Sequence, residues 1–82
     1  MTEQEIIDGL KQMKIEALKE LISVYAEDMT VLASLLLHDQ AKATVMVDNL
    51  LLDLWNGKDF ENLTPPLHIY LMTIVRNACG YD

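Results

Sequence analysis

Cysteine, proline, glycine and positive charge are all scarce in this 82-residue chain. The single cysteine, Cys79, excludes an internal disulfide and suits a reducing compartment. Six bases stand against thirteen acids, a net charge of −7. That balance disfavours a duplex-DNA binder that works through a basic face, because phosphate attraction supplies most non-specific affinity. Apolar stretches such as Val31–Leu37 are too short to span a bilayer. The opening residues Met1-Thr2-Glu3-Gln4-Glu5 are acidic and lack the basic start of a signal peptide, so a cytoplasmic address is expected. Three glycines and two prolines leave few places to break a helix, and no period-two alternation predicts a strand.

Hydrophobic residues make up 51% of the chain and charged residues 23%, enough for one small core of modest stability. Thr2 and Glu5 stand at capping-box spacing. Ile6, Ile7, Leu10 and Met13 follow at helical intervals, with Gly9 as a weak point, which predicts a first helix over 3–12. Ile15, Leu18, Ile22, Tyr25, Met29, Leu32 and Leu36 step by three or four. With a flanking row of Leu21, Val24, Val31 and Leu35 they predict a second helix over 14–37, roughly 35 Å long. Asp39 is placed to cap a third helix over 40–56, whose apolar seam runs from Ala43 through Val47 and Leu51 to Trp55. Asn56-Gly57 supplies a stop. Thr64-Pro65-Pro66 starts a fourth helix over 65–79, with Thr64 as the capping hydroxyl and Gly80 as the end. The expected fold is all-α, a compact bundle of about four helices in a single domain over 1–82.

Chemistry is thin. His38 and His68 are far apart and lack metal-ligand spacing, Cys79 has no paired cysteine, and Ser23 and Ser34 have no glycine-flanked elbow. No glycine loop is present to cradle a phosphate. The carboxylates read as a solvated exterior, so neither catalysis, a metal nor a cofactor is expected. Two features stand out. Val45 and Leu52 fall on the outward side of the third helix together with Asp48, Asn49 and Asn56. Either the helix is buried on two sides within its own bundle, or this is an apolar docking surface with a polar rim. On the polar side of the last helix lie His68, Thr73, Arg76 and Asn77; a guanidinium can pair with phosphate and an asparagine can read a base edge.

The stretch Leu67-His68-Ile69-Tyr70-Leu71-Met72-Thr73-Ile74-Val75-Arg76-Asn77-Ala78-Cys79 resembles the closing helix of region two in bacterial extracytoplasmic-function sigma factors. That helix commonly shows an aromatic residue, a leucine, a Thr-Ile-Val-like run and then Arg-Asn. Leu52-Asp53-Leu54-Trp55 is similar to the Leu-x-Leu-Trp ending of the family's preceding helix. The stretch Glu16–Tyr25 is similar to its opening helix. The resemblance covers about residues 15–81 and is nearest in style to factors of the Bacteroidetes type. It implies a region-two fold with Trp55 and Tyr70 largely in the core. It also implies transcription initiation: docking on the clamp helices of the RNA polymerase core, and capture of flipped bases of the minus-ten non-template strand. By position, docking would fall on Val45, Asp48, Asn49, Leu52 and Asp53. Strand capture would involve Lys58, Phe60, His68, Arg76 and Asn77, where stacking is worth about 1–3 kcal/mol per base.

The departures from the family point elsewhere. Its clamp-binding helix usually opens on an acidic Asp-Ala-Glu-Asp-like run; here Lys42-Ala43-Thr44-Val45 stands there. From Asn56 to Asp82 two bases face three acids, where the family is rich in lysine and arginine. No region-four domain follows, so a full initiation factor is not expected. The alternatives are a degenerate sigma-like module that binds another regulatory protein without DNA, and a homo-oligomer formed through the third helix.

Overall fold

The computed structural model describes residues 1–57 and 63–80. Four helices follow one another: α1 (Glu3–Lys11), α2 (Ile15–Leu37), α3 (Gln40–Gly57) and α4 (Leu67–Ala78). The described residues contain no strand, and the all-α bundle of four helices is as expected. At 1.5 Å per residue α2 should be about 35 Å long. The molecule measures 35 × 22 × 22 Å, so α2 sets its length. The other three helices pack principally against α2, which is the spine of the bundle.

Local chemistry explains most boundaries. The Glu5 N–H donates to Thr2 Oγ1 at 3.2 Å and the Thr2 N–H donates to Glu5 Oε1 at 3.0 Å, closing the capping box. The Lys42 N–H donates to Asp39 Oδ1 at 3.0 Å, so Asp39 caps α3. Gly80 takes φ +86° just past α4, a conformation that side-chain-bearing residues rarely adopt.

Two expectations are corrected. Helix α4 begins at Leu67, two residues later than expected, and Thr64 does not cap it. Its first amide instead donates to Glu3 Oε1 at 3.0 Å, a carboxylate delivered from α1 across 64 positions of sequence. Gly57 is the last helical residue of α3 and not the residue that ends it. Met13 lies beyond α1, as the expected range 3–12 has it, at φ 58° and 36% exposed, where the chain turns into α2.

The buried side of α2 is broader than the expected seam, of which Leu18, Tyr25, Met29 and Leu32 do pack into or against the core. The fully buried residues of α2 are Ala17, Leu21, Met29 and Ala33, whereas Ile15 and Ile22 are exposed. Ala17 is buried where α1 packs. A Cβ built on Gly9 would come within 2.6 Å of Ala17 Cβ, so α1 and α2 cross at the closest approach that a glycine and an alanine permit. Large apolar side chains outline a helix seam from sequence, but a spine packed on several sides turns its alanines inward. The core is completed by Ile6, Ile7 and Leu10 of α1, Ala43, Val47 and Leu51 of α3, and Leu67, Leu71 and Val75 of α4. Leu63 is also buried there. Trp55 and Tyr70 are half-buried at its edge.

Candidate functional site

Helix α3 has an apolar seam on each of two opposite sides. Ala43, Val47 and Leu51 recur every four residues and face α2. Val45 and Leu52 are seven apart, about half a turn around from that seam, and stand 60% and 56% exposed. The second seam is therefore not buried within the bundle, which removes the first of the two sequence readings. Asp48, Asn49 and Asp53 are exposed beside it. All five docking residues expected from sequence therefore share one accessible strip of α3.

The strip is a ridge between two clefts. On one flank an open cleft of about 540 Å³ is bounded by Val45, Met46 and Leu50, with Lys42 and Asp53 contributing opposite charges. On the other, a cleft of about 310 Å³ lies between α3 and α2, where Leu18 and Ile22 meet Asp48, Leu51 and Leu52. An apolar ridge with apolar-floored clefts and a few charges at the margin is the form of a protein-docking surface. It presents large side chains to water, and no buried polar side-chain atom lacks a hydrogen bond among the described residues. The chemistry on offer is burial of apolar area with acidic and amide groups setting orientation.

The residues expected to capture a DNA strand are dispersed. Lys58 and Phe60 lie outside the described residues. His68, Arg76 and Asn77 are exposed on α4 but do not converge. His68 turns toward α2, with Nε2 3.9 Å from Asp28 Oδ2 and its ring centroid 6.4 Å from that of Tyr25. Arg76 lies about 12 Å further along the helix at 1.5 Å per residue. Asn77 lines a separate cleft with Thr64, Pro65 and Tyr70 on another side of α4. A carboxylate beside His68 repels a phosphate backbone, the opposite of what strand binding needs.

Tyr25, Asp28 and Glu3 gather around the start of α4, and sequence reasoning missed them. Each lies some forty or more positions from its α4 partner, so no local spacing could signal the cluster. The Tyr25 hydroxyl is pushed above its ordinary pKa by burial, with the Glu3 charge adding to it. At the other end of α4 the Cys79 thiol is 3.5 Å from Met46 Sδ on α3, and burial raises its pKa, which makes it a poor nucleophile at neutral pH.

Among the described residues no group of three or more His, Cys, Asp or Glu side chains is arranged to hold a metal ion. No described helix is long and apolar enough to cross a membrane. Comparison with known proteins adds no relative: no family model, curated protein or solved structure matches the chain.

Proposed function

We propose that this chain is a sigma-like docking domain that binds the RNA polymerase core, or another regulator of transcription, through the outward strip of α3, and that it holds promoter DNA weakly. The observation that carries this is the exposure of Val45 and Leu52 opposite the core seam of the same helix. Their large apolar side chains gain free energy only when a partner covers them, about 25 cal/mol for each Å² removed from water. Asp48, Asn49 and Asp53 beside them supply a polar rim. The choice of polymerase rests on the sequence resemblance of α2, α3 and α4 to sigma region two. Weak DNA binding follows from the net charge of −7 and from the separation of His68, Arg76 and Asn77.

The test is retention on immobilised, purified bacterial RNA polymerase core. Wild-type chain should be retained, and the pair Val45→Asp with Leu52→Lys should not be, with helical circular dichroism unchanged. Equal retention of the two proteins removes α3 as the docking face, and no retention of wild type removes the polymerase core.

A homodimer through α3 is the second reading, favoured by the same exposed pair. Matching Val45 to Leu52 across a two-fold axis brings the two Asp48 side chains close together at its centre, a like-charge cost that ranks this reading second. Sedimentation equilibrium of wild type and of Leu52→Lys distinguishes it.

A further inference from the structure

A second unpartnered apolar strip lies on α2, apart from the docking face of α3. Val24, Val31 and Leu35 are 49%, 53% and 67% exposed. Steps of seven and four keep them on one side of the helix, turned away from the buried Ala33 and Met29. A cleft of about 350 Å³ runs beside them to Gln40 at the start of α3, floored by Val31 and Leu35, with Glu27 on its margin. The charges flanking the strip are acidic, Glu27 on one side and Asp28 on the other, while Lys19, the sole base of α2, lies on a different side. The last turn of α2 carries no basic side chain, so the negative end of the helix dipole near Leu35 favours a cation.

We propose that this strip binds a basic amphipathic helix of another protein, its apolar side on Val24, Val31 and Leu35 and its lysines or arginines beside Glu27, Asp28 and the end of α2. Charge decides the occupant. A second copy is a poor match, because each of the four helices carries a single base: Lys11, Lys19, Lys42 and Arg76. An anionic lipid surface or a nucleic acid would meet the flanking carboxylates with charge of the same sign. A cationic helix meets both the apolar strip and its acidic margins, the helix-in-groove mode of recognition.

The test uses the full chain and two synthetic amphipathic peptides of equal length, one of leucine and lysine and one of leucine and glutamate, followed by fluorescence anisotropy. The leucine–lysine peptide should bind wild type, and the leucine–glutamate peptide should not. Val31→Gln with Leu35→Gln should weaken binding about tenfold or more through lost apolar contact. Glu27→Gln with Asp28→Asn should weaken it and flatten its salt dependence. Val45→Gln with Leu52→Gln, on α3, should leave it unchanged, so this result stands or falls separately from polymerase docking. Equal binding of both peptides, or binding indifferent to the α2 substitutions, overturns the proposal. So does a dimer in sedimentation equilibrium that Leu35→Gln dissociates, since a second copy then covers the strip.

Discussion

Glycine and its replacements act in opposite directions at two positions. In an ordinary helix interior, alanine for glycine is worth about 1 kcal/mol of added stability. At Gly9 the added Cβ would sit 2.6 Å from Ala17 Cβ, and the overpacked α1–α2 crossing costs about 1–3 kcal/mol. Gly9→Ala should therefore lower the urea midpoint, contrary to propensity. His38 presents the converse case. It closes α2 in the left-handed conformation, at φ 56°, where a side chain is strained. His38→Gly should raise stability by about 1 kcal/mol in the same urea measurement. Sequence spacing places Gly9 inside a helix as a weak point; nothing in the spacing says that Ala17 lies against it. A contact between side chains on two helices depends on how those helices cross.

Helix ends carry the next level of control. Glu5 is held below the usual carboxylate range by the Thr2 backbone N–H, with the Thr2 side chain adding to it. A depressed acid contributes stability above its unfolded-state pKa and loses it as pH falls through the folded-state value. The start of α1 should therefore loosen in acid, and Glu5→Gln should reduce the pH dependence of helicity below the glutamate range. The other consequential cap is the Glu3 carboxylate on the Leu67 N–H, which ties α1 to α4. Glu3→Ala should cost about 0.5–2 kcal/mol, the range for losing a capping side chain. Amide hydrogen exchange in the first turn of α4 should rise while the centre of α3 stays protected. The Thr2 and Asp39 caps were legible because the donor and acceptor lie within three residues. The Glu3 cap was not, and Thr64 stood in the place where a local rule would look for it.

The whole molecule is a spine with three helices laid on it, and its outer surface is divided by charge and polarity. A radius of gyration of 12.1 Å matches the roughly 12 Å expected of a compact domain of this length, so the exposed apolar strips belong to a packed fold. With net charge −7, binding to single-stranded promoter DNA at near-physiological salt should be weak or undetectable in an anisotropy titration. Tight, sequence-dependent binding by this chain, lost on Arg76→Ala, would contradict the docking-only account.

Helix number, order and approximate limits were readable from the chain because apolar periodicity and short-range caps are properties of neighbouring residues. The exposed pair Val45 and Leu52 could be located on α3 by the same arithmetic, but whether another part of the bundle covered it could not. Burial depends on which side of each helix the others occupy. Here α1, seated through Gly9 on Ala17, covers one end of the Ala17 side of α2 and leaves Val24, Val31 and Leu35, further along that side, exposed. Close packing is a property of surfaces brought together in space, and a one-dimensional pattern specifies only what each helix can offer to it.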